Sequence, residues 1–186
     1  KEARASVNTA FYTSPKVIES IYTVLKNMGF TGGRILDPAM GTGRFYQYMP
    51  EDMKSRSELY GVEIDGISGR IAKMLNPEAH IVGNIPFGDI NIEGYKIHDY
   101  FVVKSLEMIR EGGIMALITS KGTLDKRYSK IREDLSEQAE LITAIRLPRG
   151  TFGDTDVTSD ILFFVKRSKE QGIAPEWTEV VNDENS

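Results

Sequence analysis

The chain has 186 residues, 40% of them apolar, enough for one buried core and short for two domains. Its formal net charge of −4 gives no overall attraction to phosphate, so any contact with nucleic acid has to rest on a local basic patch or on another domain. The lack of cysteine excludes disulfides, thiolate zinc sites and a cysteine nucleophile, no apolar run is long enough to cross a bilayer, and the default expectation is a cytoplasmic protein without a membrane partner.

In chain order, Val17 to Met28 carries Val17, Ile18, Ile21, Tyr22, Val24 and Leu25 at helical spacing before Gly29, which predicts a helix. Arg34 to Asp37 is a short apolar run stopped by Pro38 and a glycine loop, and Leu59 to Glu63 is a second run ending in an acid; both read as buried parallel strands. Tyr46, Tyr48 and Met49, after the glycine loop, read as packing residues. Further strands are expected at Ile81 to Gly83, Gly113 to Thr119, Leu141 to Leu147 and Asp160 to Lys166, with amphipathic helices at Asp99 to Arg110 and Ser129 to Ala139. This alternation predicts an α/β fold, a mostly parallel twisted sheet with helices on both faces. The connection between Arg146 and Asp160 is too short for a crossover helix, so the final strand is expected to run antiparallel to the one before it.

Asp37-Pro38-Ala39-Met40-Gly41-Thr42-Gly43 sits where a strand turns into a helix, the edge at which open α/β sheets bind ligands. Its glycines let the backbone approach a ligand closely. The dinucleotide fingerprint fails because its third glycine would fall at Tyr46, and a Walker loop fails because no Gly-Lys-Ser/Thr follows. Glu63 lies at the spacing where an acid closing the second strand holds ribose hydroxyls. The loop resembles the methyltransferase motif D/E-P-x-x-G-x-G. That resemblance implies S-adenosylmethionine as cofactor, its methionine end on the glycine turn, with Asp37, Pro38, Ala39, Met40, Gly41, Gly43, Glu63 and Ile64 as binding residues and no metal. The ordinary alternative is a strand-to-helix turn that happens to carry Gly-x-Gly.

Asn84-Ile85-Pro86-Phe87 follows the Ile81 to Gly83 run and resembles the N/D-P-P-Y/F/W motif of amino-group methyltransferases. The exocyclic nitrogen of adenine is a poor nucleophile because its lone pair is delocalised into the ring. Two fixed acceptors, the Asn84 side-chain oxygen and the Ile85 carbonyl, would take its two N–H groups, favour a pyramidal nitrogen and aim the lone pair at the methyl group. Phe87 would stack on a base flipped out of the duplex, and Pro86 would stiffen the turn. A plain Asn-x-Pro turn is the alternative. Ile85 departs from the first proline of the motif.

Phe11-Tyr12-Thr13-Ser14-Pro15 resembles the F-x-T-P element of gamma-order class I DNA adenine-N6 methyltransferases, which implies that Phe11, Thr13 and Pro15 close over the cofactor; Thr13 with Pro15 also reads as a helix cap. The order of elements is that of this class and of type I restriction modification subunits. From about Ala3 to Arg167, the chain most closely resembles the methylase domain of large Swi/Snf-type helicase proteins of phages and conjugative elements. The stretches that carry this are Ile97-His98-Asp99-Tyr100-Phe101, Ile118 to Thr123, Ile145-Arg146-Leu147-Pro148 and Asp160-Ile161-Leu162-Phe163, besides the tetrapeptide. It implies a flipped adenine in DNA as substrate and a helicase or target-recognition region in the same or an associated polypeptide. Family members also carry a strand with an adenine-binding acid before the catalytic strand; here only Asn76-Pro77-Glu78-Ala79-His80 intervenes, and the adenine-binding acid cannot be named.

The expected organisation is a methyltransferase domain over residues 1–167, with residues 1–33 as its cofactor-closing segment, and a polar extension or linker over 168–186, the whole reading as a piece of something longer. Lys121, Lys126, Arg127 and Arg149 are the candidate DNA-phosphate contacts; with Lys130 and Arg132, the lysines and Arg127 read equally as a solvated face alternating with Asp125, Glu133 and Asp134. His98 reads as a helix-entry residue. Two other functions fit the same residues. One is a protein-glutamine N-methyltransferase, whose amide nitrogen poses the same problem; the other is a catalytically degenerate cofactor- or DNA-binding domain, suggested by Ile85.

Overall fold

The structure, a computed structural model, describes residues 13–63, 66–76, 80–83, 91–125, 130–151, 158–168 and 177. It comprises two units, Lys1–Pro86 and Phe87–Ser186. In the first, helix α1 (Pro15–Asn27) is capped by Ser14, whose hydroxyl accepts the Val17 N–H at 3.4 Å. The cap is Ser14 and not Thr13, because a residue before proline is held extended and Pro15 fits the first helical turn, where no N–H is needed. The helix buries Ile18, Ile21 and Tyr22.

Next come β1 (Arg34–Asp37), the short helices α2 (Arg44–Gln47) and α3 (Glu51–Lys54), β2 (Glu58–Glu63), α4 (Gly66–Leu75) and β3 (His80–Gly83). The strands form a parallel sheet in the order β1-β2-β3, with Asp37 opposite Gly61 and Glu63 opposite Gly83. All three therefore end on one edge, and the chain leaves β3 beside Glu63. The strands are less buried than expected. Arg34 and Glu58 open β1 and β2 in solvent, and on β2 only Leu59 and Gly61 are buried.

Met40, Tyr46 and Met49 join Ile18, Tyr22 and Leu59 in the core of this unit. Tyr46, 1% exposed, ties the two strands together: its hydroxyl accepts the Asp37 N–H at 2.9 Å and donates to the Tyr60 carbonyl. Burial first, then the Asp37 charge, drives its pKa upward, so it remains a donor. Gly61 is bare for a local reason. A Cβ there would lie 2.0 Å from the Met40 sulfur.

The second unit opens on a hairpin absent from the sequence-based expectation, β4 (Asn91–Ile92) and β5 (Tyr95–Lys96), turned by Glu93 and Gly94 with φ of 52° and 83°. Two left-handed residues suit a tight hairpin, and glutamate is not one of the residues that advertise such a turn. There follow α5 (Ile97–Met108), β6 (Ile114–Ser120), α6 (Gly122–Asp125), α7 (Lys130–Gln138), β7 (Ala139–Arg146) and β8 (Ser159–Lys166). The expected helix through Ala139 stops one residue early, since Ala139 already pairs with Lys166. The sheet order is β6-β8-β7 with β8 antiparallel to both neighbours, as the short 146-to-160 connection required. As the central strand, β8 is buried without a break from Ser159 to Phe164. Trp177, within the stretch read as a polar extension, packs edge-on against Phe164 at 5.7 Å.

Tyr46→Phe keeps the ring and removes the hydroxyl, leaving the Asp37 N–H without its acceptor. The expected loss is about 1–3 kcal/mol, read by thermal or denaturant melting; an unchanged melt contradicts the bridging role.

Candidate active site

The loop from Asp37 to Gly43 is a chain of short-range bonds. Ala39 N–H donates to Asp37 Oδ1 at 3.2 Å, Met40 N–H to the Val62 carbonyl at 2.9 Å, and Gly43 N–H to the Met40 carbonyl at 2.8 Å. Gly41 and Gly43 are left-handed, with φ of 55° and 76°, so a side chain at either would be strained. Above Gly41 the described residues leave open space, none of them lying within 4 Å of where a Cβ would stand. Its N–H donates to Glu63 Oε2 at 2.7 Å, which brings the loop and the acid at the end of β2 into one site. Glycine backbone open on one side, an acid beside it and a loop without lysine suit a ligand that offers hydroxyls and positive charge. They do not suit a phosphate.

Asp37 is the strained member. Its Oδ2 is sealed from solvent with no hydrogen-bond partner among the described residues, although the residue as a whole is only half-buried. Burial pushes its carboxyl up to about 6; the Ala39 N–H opposes this and the Glu63 charge adds to it. Tyr22 lies in the same electrostatic environment. Burial and the Asp37 charge raise its phenol, whose hydroxyl donates to the Phe45 carbonyl at 2.8 Å.

In the second unit, polar residues gather where β6 and β7 end and β8 begins. Arg146 binds Asp160 through two bonds of 2.9 and 3.0 Å and Asp125 through one of 2.6 Å, and Asp160 is 1% exposed. These carboxylates hold the guanidinium charged. Thr119 and Thr123 share a buried hydroxyl bond of 2.9 Å. Arg132, expected on a solvated or DNA-facing surface, is buried and donates to the carbonyls of Thr123 at 3.3 Å and Leu124 at 2.9 Å, closing the end of α6. It is a structural residue. Lys121 and Arg149 are exposed.

Of the residues read as cofactor-binding, the structure gathers Asp37, Pro38, Ala39, Met40, Gly41, Gly43 and Glu63 at one sheet edge, and places Thr13 and Pro15 at the start of α1. Met40 is 4% exposed, its side chain packed beneath the loop against Gly61. Phe11, Ile64, the tetrapeptide Asn84 to Phe87, Lys126 and Arg127 lie outside the described residues. Sequence reading did not single out two residues that shape the loop, the Tyr46 hydroxyl and Asn76. The only signal for Asn76 was the Asn-Pro step ending a helix.

The N-6 DNA Methylase family model matches residues 80–181, more than half of the chain and including Asn84-Ile85-Pro86-Phe87. The chain belongs to the N-6 DNA methylase family. Among relatives of the chain, the Defense against restriction protein B of Escherichia phage P1 is 29% identical over 189 residues, covering 86% of this chain and 8% of the phage protein. The type I restriction enzyme EcoEI methylase subunit of Escherichia coli is 28% identical over 187 residues, covering 73% of this chain and 38% of the subunit. The chain thus spans well under half the length of either.

The EcoKI M protein superposes with a TM-score of 0.63 at 20% identity, covering 84% of this chain and 44% of that one. A Listeria monocytogenes protein assigned to the class I S-adenosylmethionine-dependent methyltransferases superposes with a TM-score of 0.68 at 16% identity, covering 87% and 62%. The fold of this chain is that of the class I S-adenosylmethionine-dependent methyltransferases, with parallel strands and an antiparallel final strand as the sequence implied.

The raised Asp37 carboxyl makes a signed prediction for stability. Its pKa is about 6 in the folded chain against an ordinary 3.8 for the unfolded one, so its favourable contribution is complete below pH 3.8 and is lost as pH rises through 6. Asp37→Asn keeps the acceptor for Ala39 and discards the charge. It is expected to melt higher than the parent near pH 7.5, with the advantage fading by about pH 4; an equal or lower melting temperature at pH 7.5 contradicts the burial argument.

Proposed function

We propose that this chain is the catalytic part of a DNA methyltransferase that transfers a methyl group from S-adenosylmethionine to the N6 amino group of adenine. The observation that carries the reading is the family match over a segment containing Asn84-Ile85-Pro86-Phe87. Adenine is favoured over a glutamine amide because the matching family is one of DNA methylases. The site described above supplies the other half: a glycine turn open above Gly41, and Glu63 and Asp37 beside it. When bound, S-adenosylmethionine supplies an electrophilic methyl on a sulfonium, which needs neither a metal nor a covalent enzyme intermediate. Glu63 would exchange its Gly41 partner for ribose hydroxyls, while Thr13 and Pro15 would border the methionine end.

In the proposed reaction the Asn84 side-chain oxygen and the Ile85 carbonyl accept hydrogen bonds from the two amino N–H groups, Phe87 stacks on the flipped base and Pro86 keeps the turn rigid. The attacking nitrogen gains the methyl and later gives up one proton to solvent. Exposed Lys121 and Arg149 are the described candidates for DNA phosphate, with Lys126 and Arg127 as further ones. The chain's net charge of −4 and its small share of each relative favour a helicase or target-recognition region, in the same or an associated polypeptide, as the source of most DNA affinity. A second reading, binding without turnover, is favoured by Ile85 alone. It stands where the motif has proline.

The test is transfer of labelled methyl groups to unmethylated DNA and, in parallel, to a glutamine-containing protein. Label is expected in DNA as N6-methyladenine, and Asn84→Ala is expected to keep cofactor binding while losing about 100-fold or more in rate. Label in the protein instead overturns the substrate, and cofactor binding without any transfer supports the second reading. Lys121→Ala and Arg149→Ala should each weaken DNA binding regardless of sequence and lower the slope of its salt dependence by about one; unchanged slopes remove both from the DNA surface.

A further inference from the structure

We propose that Asn76 is a positioning residue for the cofactor loop, a prop beneath Gly43 that keeps the turn in the shape a ligand meets. The inference rests on the reading of this loop as the S-adenosylmethionine site. Asn76 follows α4 and is 0% exposed. Its Nδ2 donates to the Ala72 carbonyl at 3.2 Å and, over a longer 3.5 Å, to the Gly43 carbonyl. That carbonyl also receives the N–H groups of Tyr46 and Gln47, both at 3.1 Å, so it is the point from which α2 starts. Packing supports the same pairing: a Cβ on Gly43 would lie 2.5 Å from Nδ2. The bareness of Gly43 and the carboxamide of Asn76 are two halves of one fit.

The cost of this arrangement argues for its purpose. Asn76 Oδ1 is buried and has no hydrogen-bond partner among the described residues. An apolar residue would fill the space without stranding an acceptor, so what asparagine contributes is its donor, and that donor is directed at Gly43 and Ala72. Glu63, before α4, holds the Gly41 N–H, and Asn76, after it, holds the Gly43 carbonyl. Two residues thus hold the turn on either side of Thr42, and of the two bonds that of Asn76 is the one a ligand engaging Glu63 would leave in place.

Two substitutions separate the contacts. Asn76→Asp keeps the shape and replaces the donor by a carboxylate facing two carbonyls. Asn76→Ser retains a short hydroxyl able to bond back to Ala72 but unable to reach Gly43. Binding of S-adenosylhomocysteine is measured by calorimetry for the whole chain, with Ile131→Val as a core substitution in the second unit. Both Asn76 variants are expected to bind about 10-fold more weakly while Ile131→Val binds like the parent, and hydrogen exchange at residues 41–47 is expected to quicken in the Asn76 variants. Parent-like affinity with unchanged exchange in Asn76→Ser overturns the proposal. If the parent itself does not bind S-adenosylhomocysteine, the cofactor reading fails, and exchange at residues 41–47 then decides the prop by itself: quickened exchange supports it and unchanged exchange overturns it.

Discussion

A loop that offers its backbone to a ligand has to be fixed from the side the ligand does not use. Between Asp37 and Gly43 no side chain can sit over the left-handed glycines without strain, so the shape is imposed from neighbouring elements. Val62 takes the Met40 N–H, and Met40 itself turns inward to fill the space that Gly61 leaves free. Tyr46 secures the last residue of β1 to β2 from within the core. Each bond is ordinary in strength. Together they make the loop continuous with the hydrophobic core, which is why a site so rich in glycine can be rigid.

The same economy explains the unfavourable burial of Asp37. A carboxylate with one oxygen sealed and unpaired among the described residues is destabilising, and the nearby Glu63 charge adds to that cost. Two acids beside an open glycine turn create a region of negative potential that a cationic ligand relieves. The fold tolerates the strain because Tyr46, Met40 and Leu59 are buried around the strand ends.

Much of this was legible in the sequence, and the reasons are specific. Strands β1 and β2 announce themselves by apolar runs stopped by Pro38 or closed by Glu63, and β8 is readable because a central strand must be apolar on both faces, as Ile161 to Phe164 are. The antiparallel pairing followed from the short 146-to-160 connection. What could not be read depends on tertiary partners. The hairpin at Asn91 to Lys96 turns on a left-handed Glu93, which local propensity disfavours. Arg132 has the composition of a surface residue, and only the arrival of α6 beneath it makes burial with two carbonyl partners worthwhile. Ser14 displaced Thr13 as the cap because Pro15 fixes where the first turn begins.

The family and the fold speak for different parts of the chain, and the functional reading depends on both. The N-6 DNA methylase match begins at His80, so it contains the tetrapeptide and most of the second unit but neither the glycine loop nor Glu63. The structural likenesses span 84% and 87% of the chain, so they include the first unit, yet at 20% and 16% identity they speak for fold and not for chemistry. What joins the two is β3. It belongs to the first sheet, runs parallel to β2 and brings Gly83 level with Glu63, so the family match, which starts at His80, overlaps the sheet whose edge carries the loop.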